Sequence, residues 1–245
     1  MYQRGVSNSQ IQSWMDCPFR LYLQYLQKCQ PAVWNPEVFF VGSKVHDSVE
    51  NYFRNKYKPH PSFQYAHYYL YEELKKVWKY NQKPEDLLHA FNSITGIAQH
   101  EVWRASVSEK KPKIELKNEN IARVYIKVDL FDEDMAYLAD WKTSKSLRIS
   151  KKEIIQACTY KIGIDKLYNI DLPEAHFIFP YTQPQYTDFT VDFKQPDVQK
   201  IYAEVEETIT KIQNAFSTKN FPKAPRTPGM CGYCDLKAYC RGLRV

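Results

Sequence analysis

The stretch Asp129-x10-Asp140-Trp141-Lys142 carries the densest chemistry in the chain. Two apolar runs, residues 124–129 (VYIKVD) and 135–140 (MAYLAD), each end on an aspartate, and the acidic stretch 131–134 (FDED) between them reads as a hairpin turn. Side chains alternate along a strand, so Asp140 and Lys142 point to one face. Two carboxylates converging with a lysine make a site for a hard divalent cation. Phosphodiester cleavage needs those parts: a metal that polarises the phosphate and lowers the pKa of a bound water, and a lysine that orients or helps activate that water. Taken alone, the same residues also read as turn acids beside a surface lysine. The apolar run before Asp140 counts against that reading, because a carboxylate closing a buried strand is costly unless paired or metal-bound.

Two other segments carry groups that could join this site. In VGSKVHDSVE, His46 lies one helical turn after Gly42, with Ser43 beside the glycine. Small residues there let the helix approach another element closely, and His46 could then reach a metal as a nitrogen ligand. It also reads as an ordinary core histidine. Asp47 and Glu50 are close by and read first as exposed helix charges. In KKEIIQACTYKIG, Gln156 and Tyr160 are four apart and share a helix face. They could hold a phosphate, a water or Lys142, or simply pack.

The cysteines form a second constellation. Cys231-x2-Cys234-x5-Cys240 supplies three thiolates at ligand spacing, and Cys17, in WMDCPFR, is the natural fourth. All-cysteine ligation suits an iron–sulfur cluster or a structural zinc. Disulfides are not expected in a chain of this length with no sign of secretion. Cys29 and Cys158 read as plain buried thiols.

These groups must be positioned by the surrounding elements. Ser7 or Asn8 can cap a first helix, and Pro18 opens a second. Residues 31–37 read as a loop, and helices follow over about 38–57, 63–81 and 84–109. The period then changes. Residues 114–118, 121–131 and 135–143 read as three strands, followed by a helix over 151–168, strands over 174–181 and 186–193, and a polar helix over about 195–217. That order fits an α/β fold, a mixed central sheet flanked by helices. It has an N-terminal helical lobe (7–109), a core (110–220) and a cysteine-bearing tail (221–245) that joins Cys17. One domain suffices for 245 residues.

Composition narrows the function. The net charge of +6 is compatible with a polyanionic partner but equally with a solvated surface. Only 7 glycines are present and neither GxxxxGK[ST] nor GxGxxG occurs, which argues against an ATPase or a dinucleotide enzyme. No stretch approaches the ~20 apolar residues of a membrane span, and the N-terminus has no apolar signal core, so a cytoplasmic protein is expected.

Taken in order, the motifs resemble the RecB-like branch of the PD-(D/E)XK nuclease superfamily: G-x-x-x-H at Gly42 and His46, a strand aspartate at Asp129, D-x-K at Asp140 and Lys142, and Q-x-x-x-Y at Gln156 and Tyr160. The terminal cysteines match its iron–sulfur members. The layout is nearest to CRISPR-associated RecB-like exonucleases, the AddB nuclease domain and stand-alone phage relatives. The resemblance implies a restriction-endonuclease-like fold and Mg²⁺ or Mn²⁺ held by His46, Asp129, Asp140 and the main-chain carbonyl of Trp141. It implies that Lys142 acts on the attacking water, with Gln156 and Tyr160 supporting the site and the DNA strand. It further implies a [4Fe-4S] cluster on Cys17, Cys231, Cys234 and Cys240, with zinc as the rival. Asp140 stands where glutamate is commoner, and Lys127 where a small residue is usual. The expected activity is a DNA exonuclease or endonuclease preferring single strands or ends. The aromatic share of 15%, including Trp34, Tyr52, Tyr57, Tyr65 and Trp78, offers rings to stack on unpaired bases. The rival reading is a non-catalytic DNA-binding or assembly subunit of a DNA-processing or CRISPR adaptation complex.

Overall fold

The structure is a computed structural model and describes residues 5–30, 40–56, 62–78, 83–108, 110–113, 123–144, 146–181, 186–225 and 229–242. The expected loop at 31–37, the strand at 114–118, the helix end at 79–81 and the rings of Trp34 and Tyr57 lie outside these residues.

The chain opens with a two-residue strand β1 (Val6–Ser7) and helix α1 (Asn8–Asp16). Ser7 caps α1: its side chain accepts from the Gln10 N–H while the Gln10 side chain accepts from the Ser7 N–H. Cys17 is the break between α1 and α2 (Pro18–Leu21), and Pro18 sits in the first turn, where its missing N–H costs nothing. A π-helical turn (Tyr22–Leu26) follows. Of the helices expected as one N-terminal lobe (7–109), α3 (Phe40–Asn51), α4 (Phe63–Val77) and α5 (Pro84–Val107) pack on one another, whereas α1 packs on the later helices Lys151–Tyr168 and Pro196–Thr218.

The expected strand over 121–131 is two strands in two sheets. β2 (Val124–Tyr125) pairs parallel with β1, whereas β3 (Leu130–Asp132) pairs antiparallel with β4 (Tyr137–Trp141). Residues 126–129 carry the chain between them. Ile126 packs there on α6 (Lys151–Tyr168), where a side chain at Gly163 would come 2.7 Å from Ile126 Cδ1. The hairpin turn is therefore at 133–136 and not at 131–134. Asp132 closes β3 just before that turn: one carboxylate oxygen is buried against the Arg104 guanidinium at 2.7 Å, and the other accepts from the Met135 N–H at 3.4 Å. Arg104 also holds Glu101 at 2.8 Å, so α5 is bolted to β3 by a fully enclosed triad.

The main sheet has the order β3-β4-β5-β6, with β5 (Glu174–Phe179) and β6 (Thr187–Asp192). β4 and β5 run parallel, and α6 carries the crossover such a pair requires. One face, with Phe131, Leu138, Phe177 and Val191, packs on α1, α6 and α7 (Pro196–Thr218). The other, with Leu130, Ala139, Trp141 and Ile178, packs on α3, α4 and α5. The expected mixed sheet between helices is what the chain forms. A short helix α8 (Lys237–Gly242) ends the described tail. No described helix is long and apolar enough to cross a membrane.

Candidate active site

β4 is fully buried and central, and its alternation sorts the chemistry. Ala139 and Trp141 face the α3–α5 lobe, so Asp140 faces α6. Continuing the β3–β4 register one step past Leu130–Ala139 sets Asp129 opposite Asp140. The Trp141 N–H donates to Asp129 Oδ2 at 2.9 Å.

His46 reaches this point from α3, with Nδ1 3.2 Å from Asp129 Oδ1. The close approach depends on Gly42, where any Cβ would come 2.9 Å from Thr143 Oγ1, just past Lys142. Glu50, a further turn along α3, lines the same small cavity as His46, Lys127 and Asp129. Lys127 Nζ is 3.9 Å from Glu50. Asp47 is turned away onto Lys44 at 3.0 Å.

The α6 face supplies the rest. Gln156 Nε2 donates to Asp140 Oδ1 at 2.8 Å, and Gln156 Oε1 accepts from Lys142 Nζ at 2.8 Å. The Tyr160 hydroxyl lies 3.0 Å from Asp140 Oδ1 and 2.6 Å from Gln156 Nε2. Lys142 Nζ closes the ring on Asp140 Oδ2 at 2.7 Å and lies 5.0 Å from the Phe177 ring centre. All seven residues named for this site from the sequence thus meet in one connected cluster, with Trp141 entering through its backbone.

The electrostatics follow from burial. Desolvation works against charge on His46, but Asp129 outweighs it and pushes the imidazole up to about 9. Burial also works against Asp129, yet His46 and the Trp141 N–H hold its carboxyl below the usual range. Asp140 goes the other way: desolvation and the nearby Asp129 charge raise it despite Lys142. Burial would lower Lys142, but Asp140 and Asp129 keep it raised. Burial and Asp140 push the Tyr160 hydroxyl well up, so it donates as a neutral group.

The donor set fits a hard divalent cation: two neighbouring carboxylates, Asp140 buried and Asp129 partly so, a main-chain carbonyl and an imidazole. Among the described residues, no three His, Cys, Asp or Glu side chains stand as a finished ligand set. The carboxylates face Lys142, Gln156, Tyr160 and His46 instead.

In a second cavity, of about 550 Å³, Cys17, Cys231, Cys234 and Cys240 are all among the lining residues. Burial and the three neighbouring cysteines push the Cys240 thiol up against the pull of Lys223. Four thiols around one space match the donor chemistry of a cluster or zinc. Arg20 ties the same region together, pairing with Asp16 at 3.1 Å and with Asp235 at 3.2 Å. The sequence reading missed this link, although an arginine three residues after Cys17 and an aspartate directly after Cys234 were its signal. Cys158 is fully buried and its thiol is pushed up to about 12 by that burial. Cys29 is not among the cavity's lining residues.

The expected stacking rings need correction. Tyr52 is 1% exposed and is core. Tyr65 is half-buried against Tyr69, and Trp78 packs edge-on to Phe40. Among the described residues, the exposed rings include Tyr233 (93% exposed), Tyr68 and Trp103.

The model of the PD-(D/E)XK nuclease superfamily matches residues 5–241. No curated protein matches. Among solved structures, a "Putative exonuclease" from Eubacterium rectale superposes with a TM-score of 0.60 at 15% identity, over 99% of this chain and 90% of that one. At that identity the likeness is one of fold.

Proposed function

Because the chain belongs to the PD-(D/E)XK nuclease superfamily, we propose that it is a metal-dependent DNA nuclease with Asp129, Asp140 and Lys142 at its centre. The observation that carries this reading is the ring in which Asp140, Lys142, Gln156 and Tyr160 are joined by contacts of 2.6–3.0 Å beside the His46–Asp129 pair. A binding module has no use for two largely enclosed carboxylates set opposite each other on neighbouring strand ends. In this reading Asp129, Asp140, the Trp141 carbonyl and His46 hold Mg²⁺ or Mn²⁺. The ion would polarise the scissile phosphate and acidify the attacking water. Lys142, oriented by Gln156, donates to that water or to a phosphate oxygen. Tyr160 fixes the Asp140 carboxylate, so the ligand oxygen does not rotate away.

The finer reading is an exonuclease of the RecB-like branch acting on single strands or ends. The order of motifs and the thiol-lined cavity support the branch. Cys17, Cys231, Cys234 and Cys240 would hold a [4Fe-4S] cluster whose role is mechanical, fastening α1 and α2 to the tail.

The test is cleavage of end-labelled DNA with Mg²⁺ or Mn²⁺, comparing a free 5′ end, a free 3′ end, a closed single-stranded circle and a blunt duplex. Metal-dependent cutting of single-stranded ends is expected. Faster cutting of blunt duplex would overturn the single-strand preference, cutting of the circle would make it an endonuclease, and no cutting of any substrate would overturn the nuclease reading.

A further inference from the structure

Beside Lys142 lies an open pocket of about 310 Å³ that shares no lining residue with the small cavity of His46. Its lining residues include Ser144, Ser146, Arg148, Ser150 and Lys152, which lie between the end of β4 and the first turn of α6. Several lysines of the described surface sit on carboxylates. Lys44 is on Asp47, Lys75 on Glu72, Lys110 on Asp134, and Lys211 on Glu207. Even Lys151, next to the pocket, is on Glu204 at 2.5 Å. Among the described residues, neither Arg148 nor Lys152 has a carboxylate partner.

The one acid in the lining, Glu153, is turned onto Ser150. It accepts from the Ser150 N–H at 2.8 Å and from its hydroxyl at 2.5 Å, and caps α6. Burial works against its charge, but those bonds and Lys142 hold it below the usual carboxylate range. The pocket therefore keeps two uncommitted cations and the Ser144 and Ser146 hydroxyls, next to the lysine that would work on the scissile phosphate. Lys152 also lines the cysteine cavity, so the basic surface runs on from this pocket towards the tail.

We propose that this pocket seats the backbone phosphate next to the scissile one, with the Arg148 guanidinium as its forked donor and Lys152 as the second cation. The proposal rests on the nuclease reading and adds a positioning subsite to it. An arginine fork matches two phosphate oxygens. Serine hydroxyls complete such a shell, and contacts of this kind fix register without reading sequence. The volume exceeds what a phosphate alone needs and leaves room for its sugar. Seating that neighbour holds the next phosphodiester in line with Lys142 and Asp140.

The full chain carrying Arg148→Gln and Lys152→Gln tests this with defined single-stranded oligonucleotides. Both side chains are exposed, and an unchanged thermal midpoint shows that the fold is kept. The double variant should raise KM roughly tenfold while kcat stays within about twofold. The slope of log KM against log salt should fall by about one per cation removed. Replacing single phosphates by methylphosphonates should reveal one position beside the cleaved bond that weakens the wild type and has no further effect on the variant. The same pattern is expected with a 5′-hydroxyl end. Its disappearance there would assign the pocket to a terminal phosphate and overturn the internal placement. If the wild type cuts and the variants match it in KM and salt slope, or lose kcat alone, the subsite is wrong and the nuclease reading stands. If the wild type cuts no DNA, both fall.

Discussion

Gly42 stands where any Cβ would come 2.9 Å from the Thr143 hydroxyl oxygen. That contact is the gauge that sets how far His46 reaches towards Asp129. Gly42→Ala should push α3 away from the end of β4, costing about 1–3 kcal/mol and lowering cleavage. Pairing it with Thr143→Ala should recover much of the lost stability, because the colliding oxygen is gone. Thermal midpoints of the two single variants and the double variant measure this coupling. Strictly additive losses would mean that the gap is not set by this pair.

Asp140→Asn keeps the shape of the ring but removes the charge. Lys142→Ala keeps the carboxylates. Each should reduce DNA cleavage at least about 10²-fold, with the fold intact by circular dichroism. Only Asp140→Asn should weaken Mn²⁺ binding, followed by calorimetry. Wild-type rates in both would place the chemistry elsewhere.

Tyr160→Phe removes one donor from a buried carboxylate that still has Gln156 and Lys142. Stability should fall by roughly 1–2 kcal/mol, and cleavage should fall by much less than in Asp140→Asn. A Tyr160→Phe variant as inactive as Asp140→Asn would show that the hydroxyl does more than hold the carboxylate.

The site was more legible in the sequence than the strands that carry it. Strand alternation groups Asp140 with Lys142 and helix spacing groups Gln156 with Tyr160, but only the resemblance in motif order drew His46 and that helix pair to Asp129 and Asp140. Position within the sheet was harder. The run 121–131 is uniformly apolar at alternate positions, and nothing local says that 124–125 pairs with the N-terminus while 130–132 pairs with β4. The two-residue β1 is too short to leave a period. Asp132 looked like a turn acid because its partner Arg104 lies 28 residues away on α5. Tyr52 looked available for stacking because its burial depends on how α3, α4 and α5 come together. Each failure is a case of a distant partner overriding a local pattern.

His176 provides a pH-dependent contribution away from the site. Its Nδ1 lies 2.9 Å from Asp188 and its Nε2 3.2 Å from Glu174, with the Tyr137 ring and Thr190 beside it. Burial opposes its charge, but the two carboxylates win and the imidazole is raised above its ordinary value. The folded value lies above the unfolded one, so this stabilisation is fully present below the unfolded pKa and is lost as pH rises through the folded pKa. The denaturant midpoint should fall as pH rises above the ordinary imidazole value and through the raised folded one, and His176→Gln should flatten that part of the slope. An identical slope in the variant would assign the loss to other groups.

Protein purified without oxygen should be brown and absorb broadly near ~400 nm, as cysteine-ligated iron–sulfur centres do. Cys17→Ser or Cys234→Ser should lose iron and thermal stability together, whereas Cys158→Ser should keep the colour. A colourless wild type with stoichiometric zinc would replace the cluster with a structural zinc.

The pairing of Arg20 with Asp235 joins residues 215 positions apart. Helix α1 is also held by its packing on α6 and α7. A proteolytic nick in a loop between Arg20 and Asp235 would therefore leave two fragments still clasped to each other, and they would part only on denaturation.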